Sequence, residues 1–457
     1  MSTSPNTGPS QGQPAQAHRL LHLSVLLRRP LMSRTGEAVG RLDDVIVRLR
    51  GDELPLVTGV VAKVGGRRLY VPVKRVADLS EDGIRLAREK VDLRGFERRD
   101  GEVLLREDIL GHRMIDVAQA ELIRAYDVEL AATTEGWELV RVDTRRPARL
   151  LGLVRQGSGH AGRDWKAFEP LIGHRPSALT RGPIGRLGIL KPAQLADLLE
   201  DADRDEGSEI LGQVHADPEL EADVFEELDP DLATKLLDDM SNAEVAQVLA
   251  RMHADDAADA VADLRQDRRR PVLDLLPPGQ RAKVLTLLGF NPSSAGGLMS
   301  TDVLSCSPEL AAGAALHLIA TAHLLQPEAL SSLHAVDSDG RLVGTVPTIR
   351  LIQSDPATRL LELLDPDPVR IQPDTDLPDV ALLMADYNLI TIPVIDADNR
   401  ILGVITVDDV LEATIPDDWR RREPASRPPS PAAGSEPEEH PAPLSGPPGH
   451  PQGGDHG

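Results

Sequence analysis

The sequence predicts a multidomain α+β chain. An N-terminal β-barrel-like repeat comes first, an α-helical solenoid follows, and a duplicated α/β unit comes last. Three periodicities predict this. Two β-rich stretches correspond at an offset of 83 residues, an apolar block returns every twelve residues, and two strand–turn–strand segments correspond at an offset of 59. At 457 residues the chain is long enough for several separate cores.

Residues 1–18 are rich in Ser, Pro, Gln and Gly and are expected to be disordered, because they carry too little apolar surface to offset ordering entropy. They also lack the basic stretch and apolar core of a signal peptide. Strands are predicted next. Leu42–Leu49, Val57–Val64, Leu69–Val73 and Ile84–Leu86 are β-branched runs, punctuated by Gly51-Asp52, Gly65-Gly66 and Asp82-Gly83. A second set follows at Glu121–Leu130, Trp137–Asp143 and Leu150–Val154. Arg41, Asp44 and Val45 match Arg124, Asp127 and Val128. Two successive small twisted sheets, 19–95 and 96–170, are expected from this repeat. Residues 157–187 are Gly/Pro-rich; the part with Asp164, Trp165 and Lys166 is expected to pack on the second sheet, and 171–187 to act as a linker. The run Val39–Val47 resembles the second strand of PRC-barrel domains. That resemblance implies two barrels that dock a partner and perform no chemistry.

Residues 188–290 are predicted to be helical. Leu228, Met240, Met252, Leu264, Leu276 and Leu288 recur every twelve residues, each closing a five-residue block with apolar positions at i, i+1 and i+4. That spacing is one helical stripe. Breakers lie between blocks at Asp229-Pro230, Ser241-Asn242, Arg270-Pro271 and Pro277-Pro278-Gly279. So short a helix cannot bury its face alone, so neighbours must stack into a solenoid.

The last unit spans 291–360 and 361–416. Val336–Gly344 aligns with Ile395–Gly403, each read as strand, turn and strand, with a helix after each at Arg350–Gln353 and Asp408–Ala413. Leu377–Asn388 reads as a helix and Leu389–Ile395 as a strand. The tail, 417–457, is Pro/Gly/Ser-rich and expected to be disordered.

Between helical repeat and duplicated unit, Asn291–Asp302 contains Ala295, Gly296, Gly297, Leu298 and Met299. This run resembles the junction of MgtE-type magnesium channels, where a cytosolic helical N-domain meets a pair of CBS domains. The helical repeat is similar to that N-domain, and the duplicated unit resembles a CBS pair. The second copy carries the resemblance best, at Met384–Asn388 and Gly403–Leu411. In the first copy, Pro347 and Arg350 stand where the second has Thr406 and Asp409. The resemblance covers about 188–416. It implies a right-handed solenoid, a homodimer through the CBS pair, Mg²⁺ as ligand, and an integral-membrane metal-ion transporter as partner.

Metal-ligating candidates lie in His253–Ala260. Asp255 and Asp259 are i and i+4, so both carboxylates leave one helical face, with Asp256 beside them. Like charges so placed repel, and a divalent cation turns that cost into attraction. Mg²⁺ suits such a place because it keeps several waters and takes few carboxylates. The alternative is a solvated helix N-terminus, where Asp is favoured by the dipole. The resemblance implies that this stretch faces the CBS pair across magnesium, with Asp408 and Glu412 among the counterpart acids. In the family the helix after the second CBS domain runs on towards the pore. Here Pro416 ends it, which departs from that pattern. Thr406 and Asp409 fit the CBS ribose motif, so ATP or another adenine nucleotide is a second candidate ligand; the alternatives are an ordinary strand threonine and a helix-capping aspartate.

Composition narrows the function classes. The net charge is −23, and residues 191–289 alone hold 24 Asp/Glu against 10 Lys/Arg, a net of −14. Such a surface repels phosphate backbones, so no nucleic-acid partner is expected. The single cysteine, Cys306, fits a reducing cytoplasm. A long uncharged run, Leu310–Gln326, is 17 residues long and contains His317 and His323, so a buried helix is expected and no membrane insertion. Enzyme signatures such as HExxH, the P-loop, G-x-S-x-G and CxxC are absent. The reading is a cytoplasmic, non-catalytic, Mg²⁺-sensing regulatory protein. The alternatives are an adenine-nucleotide-sensing CBS regulator and an adaptor that senses no ligand.

Overall fold

The computed structural model describes residues 20–87, 96–99, 101–145, 149–150, 153–154, 162–171, 185–323 and 325–416. The expected disordered ends, 1–18 and 417–457, lie outside the described residues.

The first half of the β-rich unit comprises β1 (Leu20–His22), α1 (Leu23–Leu26), β2 (Pro30–Met32), β3 (Ala38–Arg50), β4 (Glu53–Val64), β5 (Arg67–Pro72), β6 (Val76–Ser80) and β7 (Gly83–Leu86). The second half comprises β8 (Glu102–Leu104), β9 (Arg113–Asp116), β10 (Glu121–Arg124), β11 (Asp127–Ala132), β12 (Trp137–Asp143), the hairpin β13 (Arg149–Leu150) and β14 (Leu153–Val154), then β15 (Arg163–Asp164) and β16 (Phe168–Pro170). The two halves are not successive sheets. One sheet runs β1-β11-β12-β4-β3-β2-β7-β6, with β5 on β4, β8 on β3 and β15 on β12. The halves therefore exchange their opening strands: β1 pairs with β11, and β8 pairs with β3. This corrects the expected partition at 95/96. A shared core explains it, since Leu21, Leu26, Val45, Val103, Ile109, Val128 and Leu139 pack together. The strand expected over Glu121–Leu130 is likewise two. β10 joins β9 and β16 in a smaller sheet, and β11 joins β1 and β12.

The repeated aspartates hold this exchange. Asp44 accepts from the N–H groups of Val45 (2.7 Å), Arg106 (2.7 Å) and Glu107 (3.1 Å). Asp127 accepts from the N–H groups of Val128 (2.9 Å) and Ser24 (3.0 Å), and from the Ser24 hydroxyl. Each carboxylate thus satisfies backbone donors at the start of the other half's short helical turn.

The helical domain comprises α2 (Pro192–Asp201), α3 (Arg204–Val214), α4 (Pro218–Glu227), α5 (Pro230–Asp239), α6 (Asn242–Leu249), α7 (Ala254–Asp263), α8 (Gln266–Leu275) and α9 (Pro278–Leu287). From α4 onward each helix starts twelve residues after the last, and Asp217, Asp229 and Ser241 cap α4, α5 and α6. The twelve-residue blocks form the ends of these helices, and Leu228, Met252, Leu264 and Leu276 are buried. Arg270-Pro271 is not a break, because α8 continues through Pro271 with the loss of one ladder donor. Helices pack on those two places along: α4 on α2 and α6, α7 on α5 and α9. Polar side chains stitch helices three places apart. Arg268 donates to the carbonyls of Leu237 and Met240, and Gln280 donates to those of Leu249 and Met252. The β-rich unit docks at the other end, where Arg113 pairs with Asp201 and Glu206.

The junction holds α10 (Ala295–Leu298). Then come β17 (Ser305–Cys306), α11 (Ala312–Thr321), β18 (Ser332–Val336), β19 (Leu342–Pro347), α12 (Thr348–Ile352) and α13 (Leu360–Leu363), followed by α14 (Leu377–Tyr387), β20 (Thr391–Ile395), β21 (Ile401–Thr406) and α15 (Val407–Thr414). The 59-residue duplication is structural. Gly340 and Asn399 take the same left-handed turn position, at φ 79° and 63°. Gly344 and Gly403 sit where a Cβ would lie 2.3 Å from the Asp365 carbonyl oxygen and 2.6 Å from that of Ser300. The junction is sewn to the second copy: Ser300 and Val404 exchange N–H to carbonyl bonds of 2.8 and 2.9 Å, and Ala295 N–H donates to the Thr375 carbonyl at 2.8 Å. Through these bonds α7 is brought against α15.

Candidate metal centre

The sequence places two aspartates in the first turn of α7, where free N–H groups and the dipole favour them. Stacking on the helix three places back sets what faces them. Glu226 lies in the last turn of α4 and reaches the start of α7. Its Oε1 accepts the backbone N–H of His253 at 2.6 Å and lies 3.0 Å from the His253 Nδ1. Asp256 Oδ2 lies 4.0 Å from the same Nδ1. Asp255 is 7% exposed, and its Oδ1 has no hydrogen-bond partner.

The second copy of the α/β unit supplies acids from the other side. Thr406, at the start of α15, is buried and donates its hydroxyl to Asp409. Burial pushes the Asp409 carboxyl up to about 7, against the Thr406 hydrogen bond, with repulsion from Asp255 and Asp408 adding to it. Loss of solvent raises Asp256 well above the usual carboxylate range, and Asp255, Glu226, Asp409 and Glu412 raise it further. Asp256 keeps 41% of its side chain exposed, so the crowd of charges opens to solvent. Glu227 is raised by burial and then by Glu412. His253 is the cation of the group: its hydrogen bond to Glu226 lifts it to about 9.

The structure therefore brings together Asp255 and Asp256 on one side and Asp409 and Glu412 on the other. It does not bring Asp259 into that layer. Asp259 sits one turn on and lines a cleft of about 390 Å³ with Arg269, Leu273, Leu287, Phe290 and Pro292. Burial and the neighbouring Asp255 and Asp263 raise it to about 6, with no contribution from the α/β unit among the main causes. Asp408 is exposed and acts on the layer through Asp409. Asp409, expected as a ribose ligand, lies in the acidic layer. Glu226 and Glu227 were not legible as candidates, and His253 opened the candidate run without a role of its own. The available signal was the repeat itself, which stacks residues about two blocks apart.

This donor set fits a hard divalent cation. An orphaned, buried carboxylate oxygen, and carboxyls raised by burial and then by one another, mark more negative charge than the His253 imidazole balances.

Comparison with known proteins gives matches over this part of the chain. Residues 190–293 match the MgtE intracellular N domain, and residues 361–415 match the CBS domain. The magnesium transporter MgtE of Thermus thermophilus is 36% identical over 160 residues, 34% of this chain and 35% of that protein. The Enterococcus faecalis magnesium transporter MgtE is 27% identical over 133 residues, 29% of each. The chain spans about a third of the length of the curated relatives it matches. Among solved structures, the cytosolic domain of the Mg²⁺ channel MgtE in complex with ATP aligns over 52% of this chain and 94% of that one, at 28% identity and a TM-score of 0.47. No helix among the described residues is long and apolar enough to cross a membrane. The chain thus carries the MgtE intracellular N domain at residues 190–293, followed by a CBS pair whose second copy is the CBS domain at residues 361–415.

Proposed function

We propose that this chain is a non-catalytic cytoplasmic regulator in which Mg²⁺ holds the helical domain against the CBS pair. One observation carries the reading: Asp255 and Asp256 face Asp409 and Glu412, and burial, with the repulsion among these acids added to it, raises Asp255, Asp256 and Asp409. A cation between them screens the repulsion and supplies the partner that Asp255 Oδ1 lacks. Without the cation the two sides repel, and the equilibrium shifts toward separation by the difference in cation affinity between the two states. Metal-ion transport across a membrane is the process such a module serves in the relatives' names, so an integral-membrane transporter is the proposed partner.

Two further features bear on assembly and ligand. Ile349, Ile352, Leu382, Tyr387, Ile390 and Leu411 leave large apolar side chains exposed on the CBS helices and their flanks, which supports a homodimer through the CBS pair. The Thr406–Asp409 hydrogen bond keeps an adenine nucleotide as a second reading, with those two residues as its ribose contacts.

Calorimetric titration of the full chain with MgCl₂ and, separately, with ATP tests both. Saturable Mg²⁺ uptake that Asp256→Asn weakens supports the cation reading. Uptake of ATP alone, lost in Asp409→Asn, replaces it with the nucleotide reading.

A further inference from the structure

We propose that Glu226, His253 and Asp256 form a transition-metal site within the helical domain, taking a divalent ion of borderline softness such as Zn²⁺ or Co²⁺ in preference to Mg²⁺. Among the described residues this is the single group of three metal-ligating side chains whose donor atoms all lie within 4.8 Å of one another.

The geometry is close to a coordination shell. Donors held at about 2.0–2.1 Å around a tetrahedral ion are about 3.3 Å apart. His253 Nδ1 stands 3.0 Å from Glu226 Oε1 and 4.0 Å from Asp256 Oδ2, on either side of that value. A second observation points to the same ligand. The Asp255 carboxylate is more than nine-tenths buried with Oδ1 unpartnered, and it lies within reach of the charges of both His253 and Glu226. It adds unpartnered negative charge beside the group, outside the three donors that lie within 4.8 Å of one another.

The donor chemistry sets the ion. Mg²⁺ prefers oxygen and water, whereas an imidazole nitrogen beside carboxylates suits zinc and its neighbours. Binding displaces the proton that His253 shares with Glu226, and that proton leaves to solvent. The site differs in construction from the Mg²⁺ layer. All its ligands belong to α4, α7 and the residue before α7, so it needs no approach of the CBS pair. The solenoid's other histidine–glutamate pair is His215 Nδ1 with Glu221 at 3.0 Å, and no third ligand among the described residues completes it.

Co²⁺ is the probe, because its visible absorption reports its donor set. The full chain, stripped with chelator, is titrated with CoCl₂ in excess MgCl₂. The expected result is a saturable band at one ion per chain that Mg²⁺ does not bleach. Losing an outer-shell partner of a metal ligand costs about 10–100-fold in affinity, so His253→Gln is expected to cost at least as much. A band unchanged in His253→Gln belongs to another of the thirteen histidines and overturns the proposal. So does a band that equimolar Mg²⁺ removes. If His253→Gln does not fold, Zn²⁺ added to the wild-type chain with ¹⁵N-histidine decides. A shifted His253 Nδ1 supports the site, and thirteen unshifted imidazoles overturn it. Failure of the Mg²⁺ reading appears separately, as no MgCl₂ response in the wild-type chain.

Discussion

One oxygen of Glu226 binds His253 twice: Oε1 accepts the backbone N–H at 2.6 Å and lies 3.0 Å from the imidazole Nδ1. The contact ties the end of α4 to the start of α7, so His253 both completes the solenoid step and sets a positive charge among the acids. It also fixes how the layer responds to pH.

The groups of the layer, and Asp259 one turn away on the cleft wall, titrate in one direction. Asp255, Asp256, Asp259 and Asp409 have raised folded pKa values, Asp259 at about 6 and Asp409 at about 7, so their protonated forms favour the folded state. His253 at about 9 contributes stability that is full below 6.5 and lost as pH rises through 9. Without divalent cation, the melting temperature is therefore expected to fall as pH rises from 5 to 9. Mg²⁺ is expected to flatten the slope above pH 6. Melting in chelated buffer across that range checks this, and a temperature that rises with pH contradicts it.

Removing one charge from the layer has two opposite effects. Asp256→Asn is expected to raise stability in chelator by about 0.5–1 kcal/mol, the size of a partly solvated charge interaction. It is also expected to weaken the Mg²⁺ response. Asp259→Asn, one turn away on the cleft wall, is expected to leave that response largely intact. Paired melts of both variants with and without MgCl₂ check the contrast. An equal loss in both would return Asp259 to the layer.

How much was legible follows from which contacts are periodic. The twelve-residue spacing and the 59-residue duplication are local patterns, and they located the solenoid, its acidic helix start and the CBS hairpins. Asp255 was singled out by its i, i+4 spacing to Asp259, with Asp256 beside it. Glu226 and His253 were not, because they are 27 positions apart and meet only through stacking of non-adjacent helices. The i, i+4 rule gives a shared face but not what that face meets, so it did not separate Asp259, on the cleft wall, from Asp255. The strand exchange was invisible for a similar reason: β1 fits β11 with the same alternation that would fit a strand of its own half.

That exchange predicts where the β-rich unit is vulnerable. Asp127→Ala removes acceptors for Ser24 and Val128 and is expected to cost about 1–2 kcal/mol. Asp44→Ala is expected to cost at least as much, since three backbone donors lose their acceptor inside a buried site. Urea unfolding followed by the fluorescence of Trp137 and Trp165 checks both. Changes within about 0.3 kcal/mol, the scale of an ordinary surface substitution, would show that the aspartates do not hold the halves together.

The junction glycine is a second weak point. A Cβ at Gly297 would lie 2.4 Å from the Asn291 carbonyl oxygen and 2.7 Å from the Pro292 Cα, both backbone atoms. Gly297→Ala is expected to cost about 1–3 kcal/mol and to shift α7 relative to α15. Loss of the Mg²⁺ response in a variant that still folds, read by circular dichroism and titration, checks the coupling.

The most direct test of the cation layer is thermal melting of the full chain against MgCl₂, with NaCl at matched ionic strength. A site filled to about ten times its Kd adds roughly 1.4 kcal/mol. A saturable rise in melting temperature that NaCl does not reproduce is the predicted result. A rise that NaCl matches at equal ionic strength, or no rise at all, would contradict a specific divalent cation between Asp256 and Asp409.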